Sequence, residues 1–436
     1  MVKLLRAKLF SLMLSRIATK FSLIISDRQL RRRILFVLFA LILFRLGASI
    51  PISGVDTEAL KRLFSGNQFL NLLNIFSGGG LSNLSILMLG VSPFITASII
   101  MQLLTMMVPS LKELYQESGE QGRRIFAQYS RLLTVPLAMI QGFGLLSLLG
   151  NQGVLLPITL SEKLVSVMVV TAGSILLMWL GELINEYGIG NGTSLIIFAG
   201  IVASIPQAIG QVVANFDPSQ VPLYLAYLVA AVVIVGGVVI MTEAERPVPI
   251  TYAKRVRGAK LFGGASTYLP IRLNQAGVMP IIFALSILLF PQMLINFLSQ
   301  ASHPTVQAVA NFLLGLLNNT WFYAIVYFAL VFLFTYFYSA VTFDPDSIST
   351  NLQKSGAFIP GIRPGRPTAD HLGKIVTRLT LVGALFLGVI AMLPLIMRAL
   401  TGVTALAIGG TALLIVVSVA LDFMKQIDAQ VTMREY

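Results

Sequence analysis

Few residues in this chain could do covalent chemistry, and those few stand apart. The two histidines, His303 and His371, fall in different loops, and no H-E-x-x-H run accompanies either of them, so a zinc hydrolase has no ligand set. No G-x-x-x-x-G-K-[ST] phosphate loop occurs, so the chain is expected not to hydrolyse ATP itself. Gly188-Ile189-Gly190-Asn191-Gly192 has the outline of a dinucleotide loop, but it lacks the third glycine at the required spacing and lies between two apolar stretches. No apolar segment carries an Asp pair or a Ser–His constellation, which leaves intramembrane proteolysis without a nucleophile or an activated water. The absence of cysteine excludes disulfides and thiolate ligands. The expectation is no catalytic residue, no metal and no cofactor.

What remains is charge and its placement. Arg45 is the one ionisable residue well inside an apolar stretch, and it reads as snorkelling or pairing near the outer end. Glu182 and Glu186 close the fourth stretch, where helix capping and solvation suffice and a proton relay is the alternative. Ion-coupled transporters usually place such groups near the midplane, so this sparseness weighs against them. A charge-free aliphatic lining offers no oxygen ligand to a dehydrating ion. It can still part around an extended peptide, and it blocks by dewetting when empty.

The elements that position these residues are membrane helices. The 436 residues are 56% hydrophobic and only 11% charged, against about 25% charged in soluble proteins. Ten spans are expected, at Ile34–Ile50, Ile86–Val108, Leu132–Gly150, Leu164–Gly181, Thr193–Ala214, Val221–Thr242, Ala276–Ser299, Asn318–Val341, Leu379–Met397 and Gly402–Leu421. With both termini cytoplasmic, 26 of the 31 Lys and Arg residues collect on the inner side, as the positive-inside rule requires. The net charge of +13 then belongs to cytoplasmic loops. Residues 1–22 alternate Leu5, Leu9, Leu12 and Phe21 with Arg6, Lys8, Arg16 and Lys20, the pattern of a basic amphipathic helix on the inner leaflet. No cleavable signal peptide is expected in the basic first 33 residues.

One apolar run is broken in an unusual place. Between Leu63 and Leu111 there is no Asp, Glu, Lys or Arg, yet Ser77-Gly78-Gly79-Gly80 and Ser92-Pro93 interrupt it. Non-helical backbone at membrane depth is tolerated only against protein or around a cavity. The expectation is a short half-helix, a break and a full span, hence a pathway through the membrane. Two large loops complete the outline. Residues 243–275 read as a hairpin-like excursion, and 342–378 hold the rigid basic turn Gly361-Ile362-Arg363-Pro364-Gly365-Arg366-Pro367. Paired basic loops suggest a docking surface for something large and anionic or acidic.

Several ordered motifs resemble the bacterial SecY family. They include Ile75-Phe76-Ser77-Gly78-Gly79-Gly80-Leu81-Ser82, Leu89-Gly90-Val91-Ser92-Pro93-Phe94-Ile95-Thr96, Tyr252-Ala253-Lys254-Arg255, Asn274-Gln275-Ala276-Gly277-Val278-Met279-Pro280, Gly361-Ile362-Arg363-Pro364-Gly365 and Gly409-Gly410-Thr411-Ala412-Leu413-Leu414-Ile415. Together they run from about the first span to the tenth. The resemblance implies a protein-conducting channel: an all-α integral membrane protein of ten transmembrane helices in two inverted halves around a central pore, with a half-helix plug. The halves would be 34–214 and 215–421, flanked by segments 1–33 and 422–436.

The resemblance also assigns residues. A displaceable, loosely packed plug would lie near 76–85, including Gly78, Gly79, Gly80, Leu81, Ser82 and Asn83. An aliphatic pore ring would comprise Val91, Ile95, Ile197, Ile282 and Ile415, with Val91 standing where the family usually has isoleucine. Each of these, taken alone, reads as helix-packing core. The lateral gate would bring the Ile95–Gln102 face opposite Gly277–Leu285, with Gln102, Asn274 and Gln275 polar near the seam, at roughly 0.6–2 kcal/mol per hydrogen bond. For Asn274, local helix capping is the other reading. Lys254, Arg255 and Arg363, with their neighbours Arg257 and Lys260, would meet a SecA-like ATPase motor and the ribosome, including ribosomal RNA. Any of them could equally be a solvated positive-inside residue. The tip of the 243–275 loop departs from many relatives, with Pro247-Val248-Pro249 where charges often cluster. SecE-like and SecG-like small membrane subunits, an unfolded precursor polypeptide and membrane lipids complete the implied partners, and the bacterial inner membrane is the implied location. A secondary transporter with broken helices is the competing reading.

Overall fold

The computed structural model describes residues 27–52, 59–60, 74, 77–116, 118–155, 159–214, 218–252, 255–257, 260–262, 266–299, 303–401 and 409–435. The amphipathic segment expected over residues 1–22 lies outside them. The chain divides into two units, Met1–Gln211 with Val419–Tyr436, and Val212–Ser418.

The first unit begins with α1, Arg28–Ala48. Asp27 starts it by accepting hydrogen bonds from the backbone N–H groups of Gln29 and Leu30, which satisfies donors a helix start leaves free. Leu30, Val37, Ala40, Phe44 and Ala48 bury one face, while Leu38, Phe39, Ile42 and Leu46 stay exposed, as lipid contact allows. Next come α2 (Ser92–Met107) and α3 (Pro109–Gln116), bent by 114° across Val108. Pro109 causes the bend, because the residue before proline is pushed out of helical backbone, and Val108 is extended. The long helices α4 (Gly119–Asn151) and α5 (Leu160–Tyr187) pack together, with Thr159 and Glu162 forming a reciprocal capping box at the start of α5. Helix α6 spans Gly192–Ala214.

In the second unit, α7 (Val221–Glu243) leads into strand β1, Glu245–Tyr252. Strands β2 (Arg255–Arg257) and β3 (Lys260–Phe262) form a small hairpin, and β4 (Ser266–Arg272) returns antiparallel to β1. Helices α8 (Met279–Leu298), α9 (Pro304–Asn318), α10 (Thr320–Thr342) and α11 (Pro345–Lys354) follow. Strand β5, Ala357–Phe358, pairs with the end of β1, giving the order β4-β1-β5. Helix α12 is Arg366–Thr401, and α13 is Gly409–Glu435, within which the division between the units falls.

The all-helical expectation is thus corrected to a mostly helical chain, with five short strands among the described residues. The two large loops form one folded platform. Val248, Ile271 and Ile359 close a core with Leu372, Ile375 and Val376 of α12. Strand β5 reaches only Thr251 and Tyr252. The β1 edge at Pro247 and Pro249 therefore lies beyond it, where a missing N–H is tolerated.

Five described helices are long and apolar enough to cross a membrane, and the bent α2–α3 pair would make a sixth. Others of the ten expected spans fall on α6 (23 residues) and α8 (20 residues), neither of which carries a charged residue. The second expected span, Ile86–Val108, is also shorter than the composition suggests. Residues 86–91 are turns, and the helix begins at Ser92. Gly90 at φ +60° stops a helix from starting earlier, and Pro93 fits the first turn, where no N–H partner is needed.

Candidate functional site

Over the described residues 77–91 the expected half-helix is a run of tight turns. Gly78, Gly79 and Gly90 adopt φ of +64°, +82° and +60°, and Leu84 adopts +41°, none of which a right-handed helix accommodates. Side chains supply the hydrogen bonds that helix backbone would have made. Ser77 Oγ accepts from Leu81 N at 2.9 Å and donates to Asn74 O at 3.0 Å. Asn74 Oδ1 accepts from Ser82 N at 2.9 Å, and Ser82 Oγ donates to Gly79 O at 2.7 Å. Ile52 N donates to Leu84 O and Ile86 N donates to Ile50 O, an antiparallel clip at Pro51 and Ser85 that ties the run to the end of α1.

The run is tightly packed, which corrects the loose packing expected of it. A Cβ on Gly78 would overlap Phe44 of α1, and one on Gly200 of α6 would overlap the Gly78 Cα. A Cβ on Gly173 of α5 would strike the Ile86 carbonyl. The adjacent Ser174 donates to Gly90 O at 2.9 Å. Phe44, Asn74, Gly173, Ser174 and Gly200 were not among the residues singled out from sequence. Isolated small or polar residues in apolar helices carry no signal of what approaches them. Arg45 lies beside this element, with Nη1 3.5 Å from where a Gly79 Cβ would stand.

The five aliphatic candidates all sit at helix beginnings. Val91 is the residue before α2 and Ile95 lies in its first turn. Ile197 lies in the second turn of α6, Ile282 in the first turn of α8 and Ile415 in the second turn of α13. All are buried, none more than 5% exposed. Within the first unit they join the turn run. Val91 continues directly from Gly90, and Gly200, which Gly78 touches, is one helical turn beyond Ile197.

The gate candidates are polar groups left partly open. Gln102 Oε1 and Asn274 Oδ1 are buried without a hydrogen-bond partner. Asn274 Nδ2 donates to Gly277 O at 3.1 Å, so this side chain also closes a local turn. Gln275 is half-buried. Thr171, Ser286, Tyr323 and Tyr327 hold further buried hydroxyls without partners. Glu182 has a structural role, since Arg131 Nε donates to its Oε1 at 2.7 Å and so links α4 to α5.

On the platform, Arg255, Arg257 and Lys260 fall on the β2–β3 hairpin, with Arg257 opposite Lys260. Lys254 lies outside the described residues. Arg363 is exposed on a turn held at both ends. Gly361 and Gly365 adopt φ of +81° and +92°, Thr368 Oγ1 donates to Arg363 O at 2.9 Å, and Ser349 Oγ donates to Gly365 O at 2.6 Å.

Comparison with known proteins decides the family. Residues 85–424 match the SecY family model. The chain belongs to the SecY family. It is 42% identical to a protein translocase subunit SecY of Mycobacterium bovis, over 94% of this chain and 96% of that protein. It is 45% identical to the SecY of Thermus thermophilus, over 94% of each. Among solved structures, one described as a protein-conducting channel matches with TM-score 0.66 and 18% identity over 93% of each chain. Sec61 in a canine ribosome–channel complex matches with TM-score 0.62 and 17% identity, again over 93% of each. At those identities the likeness is one of fold. This SecY-family chain is a multi-pass membrane protein.

Proposed function

We propose that unfolded polypeptides thread this protein-conducting channel through an aliphatic waist of Val91, Ile95, Ile197, Ile282 and Ile415, stoppered by residues 77–85. As a SecY-family protein the chain is a channel for protein translocation across a membrane, and it is not an enzyme. One observation carries the finer reading. A charge-free turn run, held by glycine contacts, leads straight into buried Val91 and Ile95 and presses on α6 one turn from Ile197. Such a wall starves ions of ligands yet tolerates varied side chains.

In this reading ten helices form two inverted halves. Gln102, Asn274 and Gln275 flank a lateral gate through which hydrophobic segments enter the lipid, and the open amide oxygens of Gln102 and Asn274 are acceptors free to pair there. SecE-like and SecG-like subunits clamp the halves in the bacterial inner membrane, with both termini cytoplasmic. Energy comes from a SecA-like motor or a translating ribosome docked on the platform at Lys254, Arg255, Arg257, Lys260 and Arg363. Contacts to ribosomal RNA phosphate would weaken with salt. The Sec61 ribosome complex of similar fold supports that docking.

The test is reconstitution with the small subunits. Vesicles should import an unfolded secretory precursor when SecA and ATP are supplied, and should not concentrate a small solute on an ion gradient. Solute accumulation without precursor import would overturn the proposal.

A further inference from the structure

A cleft of about 610 Å³ in the second unit is lined by Pro345 and Asp346 of α11 and by Ala369, Asp370, Gly373, Lys374, Thr377 and Arg378 of α12. Pro345 of α11 packs beside Gly373 of α12, its Cγ 3.8 Å from where a Gly373 Cβ would stand. Four charged side chains border it, and among the described residues none of them forms an ion pair. Lys374 and Arg378 are four residues apart, neighbours of like charge on one helix face. Asp346 and Asp370 are a second like-charged pair on the same cleft. Asp370 stands four residues before Lys374, a favourable order of opposite signs, so the acidic and basic pairs adjoin along one helix face.

The order of the charges along α12 is informative. The apolar stretch begins at Leu379. Arg378 and Lys374 are therefore nearest the hydrocarbon, and Asp370 stands about 6 Å farther out than Lys374. In a zwitterionic phospholipid the phosphate lies next to the acyl chains and the amine projects beyond it, in the same sequence of signs. Below Arg378 the helix continues as an exposed aliphatic track, with Leu381, Val382, Leu385 and Val389 between 43% and 51% exposed. Their spacing of three, four and seven residues from Arg378 and onward keeps them on its face. A soluble phosphate compound would make no use of that track.

We infer that this cleft binds a phosphatidylethanolamine headgroup, the phosphate on Lys374 and Arg378, the ammonium on Asp346 and Asp370, and an acyl chain along Leu381, Val382, Leu385 and Val389. A primary ammonium donates hydrogen bonds to carboxylates, whereas the quaternary ammonium of phosphatidylcholine has no N–H to donate. A purely anionic headgroup meets the two aspartates unfavourably.

Native mass spectrometry of the full detergent-solubilised chain, given chain-matched phosphatidylethanolamine, phosphatidylcholine and phosphatidylglycerol, tests this. The parent should retain phosphatidylethanolamine over phosphatidylcholine by about tenfold, the scale of charge-assisted hydrogen bonds. Asp346→Asn with Asp370→Asn should erase that preference and raise phosphatidylglycerol retention. Lys374→Gln with Arg378→Gln should lower retention of both phosphatidylethanolamine and phosphatidylglycerol. All four positions are exposed, and unchanged thermal unfolding of each variant confirms that folding is intact. Equal retention of the ethanolamine and choline lipids by the parent would overturn the inference, as would parental ethanolamine preference in the Asn variant. Displacement by water-soluble phosphoethanolamine at the same concentration would overturn the lipid as its source.

Discussion

Gly78 and Gly361 share a backbone requirement and differ in everything around it. Both adopt positive φ, +64° and +81°. Around Gly361 a Cβ would find open space, whereas at Gly78 it would overlap Phe44 and crowd the Gly200 Cα. The first turn stands on the platform and is fixed by hydrogen bonds to Ser349 and Thr368. The second, at Gly78, adds to its own hydrogen bonds a close contact with the Phe44 ring of α1 and the Gly200 backbone of α6. A glycine can therefore serve conformation alone, or conformation and close approach together. A turn held by contact can act as a wall, because it leaves no gap for water. A turn held by its own hydrogen bonds can present a side chain, here Arg363, at a fixed angle to a visitor.

The comparison breaks most readily at Gly200. It lies inside a helix with ordinary φ, where replacing glycine by alanine would normally gain about 1 kcal/mol. Gly200→Val should instead cost about 1–3 kcal/mol or more through overpacking, read as a lower unfolding midpoint of the purified chain and a raised ion leak in vesicles. A more stable variant would show that Gly78 does not press there. Deleting 78–83 should raise ion leak clearly while precursor import persists. An unchanged leak would mean that another segment seals the channel. Arg363→Glu should impair SecA-driven import more than it impairs assembly with the small subunits, and normal import would return Arg363 to a solvated loop residue.

Gly361→Ala sharpens the contrast with Gly200, since only the left-handed backbone resists it. The expected loss is about 1–2 kcal/mol, with no change in ion leak. Smallest of all, Glu182→Gln removes one charge from the half-exposed Arg131 pair. It should shift the unfolding midpoint by no more than about 1 kcal/mol allows, and a collapse of proton-coupled import would revive Glu182 as a relay.

Much of the architecture was legible in the chain, and what was not has identifiable causes. The excursion over 243–275 could be foreseen as a hairpin because β-branched and aromatic residues end β1 and glycines punctuate the return. Its third strand could not, because Ala357-Phe358 is two residues long and arrives from about a hundred residues away. The buried aliphatics at 91, 95, 197, 282 and 415 look like any other apolar residues in a membrane chain. Only the motifs around them drew them out, and their shared place at helix beginnings emerged with the helices. The turn run misled in the opposite way. The family resemblance implied a half-helix over 76–85, whereas the residues themselves read as a break at Ser77–Gly80, and positive φ at Gly78 and Gly79 with capping by Ser77 and Asn74 produced turns.

Composition and order along the chain determined the solvent and the permitted chemistry. With 11% charged residues and no charge between Leu63 and Leu111, the protein had to live in a bilayer and could not offer ions a charged ligand along that run. Those are properties of residue type, and they hold in any conformation. Which glycines meet, which serine reaches which carbonyl and which acid finds Arg131 were decided only by the fold. Each is a contact between segments far apart in sequence, such as Gly78 with Gly200 or Ser174 with Gly90. A close approach belongs to two surfaces at once, and neither segment records the shape of the other.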